Sequence, residues 1–305
     1  MRWKCTALIA GVVMAALLVW RFAFAMPYTP ISSAEFLQSY DYRSDSAEPL
    51  QFESISERKA RFSYVGHQGD VVHGYIEWPE SPRETTTSFP VFLGVSAMGQ
   101  SAVRWWQAEY KGKPTITQSH RIREMAIAAG YAVVTIDNRY TDSRKDPQRE
   151  ISAIMRDLHL FGDKTDYESM VHGTVMDLRL LLGKLALQPE LNMNRVTVVG
   201  YSMGAQIGFL LAATDNRIQR LIAMVPPYLD DRTARVAPKN AAPLLKEISV
   251  LLLTANDDEY ASKEQNQQLF DAIATTRKQH LRYESGHLLP AEYIEALRGN
   301  LADTH

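Results

Sequence analysis

From Phe89 onward, short unbroken apolar runs alternate with segments whose apolar residues recur every three or four positions. This alternation limits the fold more than any other feature of the chain. The runs are FPVFLGV (89–95), YAVVTID (131–137), RVTVVGY (195–201), IQRLIAMV (218–225), EISVLLLTA (247–255) and the less apolar HLRYES (280–285). Runs of this length without polar alternation belong to strands covered on both faces. Helical spacing is found over residues 116–129, 151–161, 170–187, 203–213, 262–276 and 290–301, with Gly130 closing the first and Pro290 opening the last. A helical crossover between successive buried strands makes those strands parallel. The expected fold is therefore α/β: a doubly wound, mostly parallel sheet with helices on both faces. Two alternating runs, 61–65 and 72–78, flank the turn sequence GHQGD and predict an antiparallel hairpin at the N-terminal edge. Residues 226–247, opened by Pro226 and Pro227, are too few for a second domain but enough for a small cap.

The N-terminus departs from this pattern. Arg2 and Lys4 precede an apolar run over residues 5–20, and Arg21 and FAFAM follow, with Ala23 and Ala25 in an A-x-A arrangement. A basic start, an apolar centre and a small-residue site together predict a signal peptide, residues 1–25, cleaved after Ala25. The alternative is an uncleaved anchor over residues 3–25. The run falls short of the ~20 apolar residues that span a bilayer, but Arg21 can snorkel and Phe22 to Met26 can extend it. Either way the domain is exported, to a periplasmic or other extracytoplasmic location, because basic residues ahead of the run keep the N-terminus inside. Membrane contact is expected only through this segment. Cys5 is the one cysteine, so the exported body has neither a disulfide nor a thiol nucleophile. Residues 26–56, with Pro27, Pro30 and Pro49, read as an irregular lead-in holding one short helix near 33–40, which leaves 57–305 as the main folded domain. With 33 basic and 35 acidic residues, no basic surface calls for nucleic acid.

In a doubly wound sheet, sites lie beyond the C-terminal ends of the strands. Three polar residues fall there in order: Ser202, an acid of the pair Asp257-Asp258, and His287. Ser202 sits in Gly200-Tyr201-Ser202-Met203-Gly204, between a strand and a helix. A hydroxyl needs a base within hydrogen-bond reach to become a nucleophile. A sharp strand-to-helix turn lifts it clear of its own backbone, and that turn is crowded enough to demand small residues two before and two after. Of eight histidines, His287 alone follows the last strand directly, in ESGHLLP, His305 being the terminus. An imidazole acting as base needs a carboxylate to fix its tautomer. Asp257 and Asp258 both qualify by position, and spacing alone does not choose between them. The bland readings are a loop serine, a backbone-satisfied histidine and a helix N-terminal acid.

Residues 89–287 resemble the α/β-hydrolase superfamily, in particular its small serine esterases and dienelactone-hydrolase-like members. GYSMGAQIG looks like the nucleophile elbow, TANDDEYAS is similar to the superfamily's acid stretch, and SGHLLP to its histidine stretch. The resemblance implies Ser202 as nucleophile, Asp258 as the acid with Asp257 in reserve, and His287 as base. It also implies an oxyanion hole from the backbone N–H groups of Met203 and, in GVSAMGQS, of Ala97, with Val95-Ser96 standing where the superfamily often has His-Gly. GYAVVTIDNRY resembles the strand that usually ends in D-x-R-G, with Tyr140 in the glycine position and Arg139 expected to be structural. In RWWQ, Trp105 and Trp106 either line a substrate pocket or fill the core. No metal-ligand spacing or phosphate loop occurs, so neither a metal nor another cofactor is implied. The expected partner is a small-molecule ester. The alternatives are an acyltransferase or peptidase using the same three residues, and a binding module on a hydrolase fold.

Overall fold

In the computed structural model, the described residues are 23–41, 48–84, 86 and 88–302, together with 11, 13–15 and 18–20. Much of the expected leader or anchor (residues 1–10, 12, 16, 17, 21 and 22) lies outside them. Among the described residues, no helix is long and apolar enough to cross a membrane.

The strands are β1 (Gln51–Ser56), β2 (Lys59–Val65), β3 (Val71–Glu77), β4 (Phe89–Val95), β5 (Glu109–Tyr110), β6 (Lys113–Pro114), β7 (Ala132–Ile136), β8 (Leu191–Tyr201), β9 (Ile218–Met224), β10 (Ser249–Ala255) and β11 (Lys278–Tyr283). β5 and β6 form a separate two-stranded hairpin, and the others join one sheet in the order β1-β2-β3-β7-β4-β8-β9-β10-β11. Pairing is parallel from β7 through β11 and antiparallel from β1 to β7.

The helices are α1 (Ser33–Gln38), α2 (Ser119–Ala128), α3 (Ile151–Phe161), α4 (Thr165–Leu185), α5 (Met203–Thr214), α6 (Pro238–Ala241), α7 (Lys263–Ala272) and α8 (Tyr293–Ala302). They cover both faces of the sheet. Val91, Leu93, Val134 and Val198 point into one core with residues of α4 and α5. Phe92, Val133, Val199 and Leu251 point into another with residues of α2 and α8. Successive strand residues face opposite ways, so a strand buried on both faces must be apolar throughout. That explains the unbroken runs.

One expected boundary is wrong. The lead-in is not irregular to residue 56, because Gln51–Ser56 pairs with β2 and makes the antiparallel edge three strands wide. Every residue of β1 is exposed. No buried face imposed an alternating pattern, so the sequence carried no strand signal. The short helix of the lead-in is present as α1, closed at its start by a reciprocal capping box between Ser32 and Glu35. The 226–247 segment forms 3₁₀ and α turns docked beside α5, where Gln206 Nε2 donates to the Val236 carbonyl at 2.8 Å.

β4 leads through α2 to β7 on one side, while β8 leads through α5 to β9 on the other. Connections that leave in opposite directions open a crevice at the C-terminal ends of β4 and β8, where ligands of such sheets bind. A buried polar hub stands beside it. Asp177, fully buried, pairs with Arg139 at 3.1 Å and Arg144 at 2.7 Å, and both arginines also reach Asp70. This ties α4 to the segments after β2 and β7, and gives Arg139 the structural place the sequence predicts.

Candidate active site

Ser202 stands between β8 and α5 with φ 56° and ψ −120°. This is a sparsely populated conformation for a residue with a side chain, costing on the order of 1–3 kcal/mol. Three contacts hold it. The Ser202 N–H donates to the Met224 carbonyl at 2.8 Å, and its own carbonyl accepts from Ala205 and Gln206 in the first turn of α5. The flanking glycines explain themselves sterically. A Cβ on Gly200 would lie 2.1 Å from the Gly204 carbonyl oxygen, and one on Gly204 would lie 2.2 Å from the Val95 oxygen. The start of α5 is thus pressed against both the end of β8 and the end of β4.

The histidine and acid arrive from neighbouring strands. β10 and β11 are parallel partners, so their trailing loops leave the sheet side by side. Backbone bonds from Asn256 N to Tyr283 O (2.9 Å) and from Asp257 N to Ser285 O (3.0 Å) zip these loops together. His287 Nδ1 lies 3.0 Å from each oxygen of Asp258, and Nε2 lies 2.8 Å from Ser202 Oγ. A carboxylate only accepts, so Nδ1 carries the proton and Nε2 is left as acceptor for the serine hydroxyl. The Asp258 side chain is 1% exposed and that of His287 20%. Asp258 Oδ1 also accepts the Tyr260 N–H at 2.8 Å. Asp257 is exposed, and among the described residues it is Asp258, not Asp257, whose carboxylate meets the imidazole.

Sequence reasoning missed the groups that hold His287 in place. The Tyr201 hydroxyl donates to the His287 carbonyl at 2.8 Å and accepts the Leu289 N–H at 2.9 Å. Burial pushes the Tyr201 hydroxyl up to about 12, so it remains a donor at any ordinary pH. Glu259 accepts the His287 N–H at 2.9 Å, and this bond lowers its carboxyl below the usual range. The Tyr260 ring meets the imidazole edge to face, with 4.6 Å between centroids. Tyr201 occupies a variable position of the elbow pattern, and Glu259 and Tyr260 follow the acid in an ordinary polar stretch. None carried a signal of its own.

The Met203 N–H is the first amide of α5, a position with no intrahelical acceptor. Ala97 lies in the loop after β4, and the backbone of that loop at Val95 and Ser96 touches Gly204 of α5. The tryptophans sit elsewhere. Trp105 is 1% exposed, packs on Phe92 and donates from Nε1 to Ser96 Oγ at 3.2 Å. It therefore fills the core instead of lining a pocket, because the indole could satisfy its N–H inside. Trp106 donates to Thr135 Oγ1 at 3.1 Å and its ring lies 4.4 Å from the Lys59 ammonium and 5.3 Å from the Arg123 guanidinium, and none of these contacts is with Ser202, His287 or Asp258.

A sequence model of the Dienelactone hydrolase family matches residues 109–284, more than half of the chain. No curated protein matches. Among solved structures, acetyl xylan esterase 1 from Thermoanaerobacterium sp. JW/SL YS485 superposes with a TM-score of 0.71 at 16% identity, covering 94% of this chain and 98% of that one. Acetyl xylan esterase from Paenibacillus sp. R4 gives 0.63 at 15% identity, covering 90% and 96%. A cold-adapted esterase from an Arctic intertidal metagenomic library gives 0.61 at 18% identity, covering 83% and 96%. At these identities the likeness is one of fold.

Proposed function

Since the chain belongs to the dienelactone hydrolase family, we propose that it cleaves small carboxylic esters through an acyl-enzyme on Ser202. His287 Nε2 takes the hydroxyl proton as Ser202 Oγ attacks the ester carbonyl. The imidazolium that forms is stabilised by Asp258 across Nδ1. The tetrahedral oxyanion accepts from the Met203 and Ala97 amides, a term worth about 3 kcal/mol per donor in comparable sites. His287 then gives its proton to the leaving alkoxide. In the second half it takes a proton from water as the water oxygen attacks the acyl carbonyl, and gives that proton to Ser202 Oγ as the Oγ–acyl bond breaks and the acid leaves. The observation that carries the reading is the unbroken chain of 2.8 Å and 3.0 Å contacts from Ser202 Oγ through His287 to Asp258.

Residues 57–305, joined by β1, act as the catalytic domain, and residues 1–25 export it, as a cleaved leader or a retained anchor. The domain works outside the cytoplasm on a small-molecule ester, and neither a nucleic acid partner nor a cofactor enters the chemistry. The test is hydrolysis of p-nitrophenyl acetate together with labelling by a fluorophosphonate. Ser202→Ala is expected to lose both, and His287→Ala to lose at least 10³-fold in kcat while folding normally. Full turnover by Ser202→Ala overturns the reading.

A further inference from the structure

The sequence could not say how the second oxyanion donor is held, and side chains after β7 supply an answer. Ala97 is 8% exposed, and its N–H has no acceptor among the described residues. The carbonyl of the same peptide, Ser96 O, accepts from Asn138 Nδ2 at 2.8 Å. A trans peptide is planar, with its C=O and N–H pointing in opposite directions. Whatever holds the Ser96 oxygen therefore also sets the direction of the Ala97 N–H. A carbonyl can only accept, so the Asn138 amide must present its NH₂ side.

Asn138 is well placed for this. It is fully buried, and its own carbonyl accepts from Thr141 Oγ1 at 2.6 Å and Thr141 N at 3.2 Å. Its neighbours fix the rest of the loop. Asp137 accepts the Ala102 N–H at 2.8 Å and the Ser101 hydroxyl at 3.2 Å, while Trp105 Nε1 holds Ser96 Oγ. Among the described residues, Asn138 Oδ1 finds no partner. A half-paired buried amide adds little to stability, which points to placement of the loop as its contribution.

We propose that Asn138 is a positioning residue for the oxyanion hole. It turns the Ser96–Ala97 peptide so that the Ala97 N–H faces the substrate oxygen as negative charge develops there. Asn138 itself touches no substrate. The proposal rests on Ser202 being the nucleophile.

The test uses Asn138→Asp, Asn138→Ala and Asn138→Ser in the full chain, with active sites counted by fluorophosphonate titration. Asn138→Asp keeps the shape but sets an acceptor against the Ser96 carbonyl. We expect kcat per titrated site to fall about 10–100-fold in the Asp and Ala variants, with KM within about threefold. Asn138→Ser, which keeps a donor, retains more kcat than Asn138→Ala. The inhibition constant of a trifluoromethyl ketone, whose adduct carries the oxyanion, rises in step with the kcat loss. A purely structural role would lower the melting temperature and the titratable fraction, yet leave kcat per site and the inhibition constant unchanged. That result overturns the proposal. Activity surviving in Ser202→Ala would instead overturn the reading on which it rests.

Discussion

Replacing Gly200 by alanine asks one methyl group to occupy filled space. The new Cβ would lie 2.1 Å from the Gly204 carbonyl oxygen, 2.2 Å from the Gly204 carbonyl carbon and 2.6 Å from Ala205 N. Real Cβ atoms essentially never come within 3.0 Å of such neighbours, so the turn must open by about 1 Å, since packed backbone has no slack to absorb the clash. Ser202 stands midway between the colliding residues. Its 2.8 Å contact with His287 would stretch past the ~3.5 Å limit of a hydrogen bond. Misplacement of a reacting group by about 1 Å costs on the order of 100-fold, or about 2.7 kcal/mol of activation free energy. The assay is kcat for p-nitrophenyl acetate per fluorophosphonate-titrated site, with circular dichroism to verify folding. Gly208→Ala is the control. Its Cβ would meet only the Leu221 Cδ1 end at 2.8 Å and Val198 Cγ1 at 3.5 Å, and a methyl at the end of a leucine can swing aside. Alanine also favours the helix over glycine by about 1 kcal/mol. Gly208→Ala should therefore stay within about threefold of the parent in kcat. If folded Gly200→Ala did the same, the steric account of the elbow would be refuted.

Two further outcomes follow from the same geometry. Tyr201→Phe deletes the hydroxyl shared by the His287 carbonyl and the Leu289 N–H; it should lower stability by about 1–3 kcal/mol and kcat about tenfold as His287 loosens, read by chemical denaturation and steady-state kinetics. His280 is held neutral to about pH 4 by burial first and by the Arg282 charge next. The unfolded chain binds that proton from about pH 6.5 downward, so stability falls as the pH drops from about 6.5 to 4 and then levels. With partial exposure reducing the effect to about 1–2 kcal/mol, His280→Gln should flatten that part of the denaturation profile, and an unchanged slope would exclude His280 as its source.

The sequence marked the parts of this molecule that are governed by burial and by one-residue sterics. Phe92 and Leu93 had to be apolar because helices cover both faces of β4, so the strand was readable as an unbroken run. Gly200 and Gly204 are fixed by contacts at about van der Waals radii or closer, which made the elbow readable in five letters. β1 left no trace, since none of its side chains is buried. Choosing between Asp257 and Asp258 required knowing how two loops zip together, a matter of register between strands nearly thirty residues apart. Asn138, Tyr201 and Glu259 act through long-range hydrogen bonds that no periodicity encodes. The pocket reading of Trp105 failed for a similar reason, because its partner, Ser96 Oγ, became visible only in three dimensions.

The place of β4 in the sheet bears on how the chain reaches its folded state. This strand is the middle one of the nine-stranded sheet, yet its partner β8 is synthesised about a hundred residues after it, and contacts so distant in sequence close slowly. Until β8 arrives, an apolar segment waits with one edge unsatisfied, open to pairing with another unfinished chain. Refolding from denaturant should accordingly lose yield as protein concentration rises, and a short segment copying β8 supplied in excess should compete for the vacant edge. Ser202 rides at the tip of that late strand, so its contact with His287 cannot form before the middle of the molecule is complete.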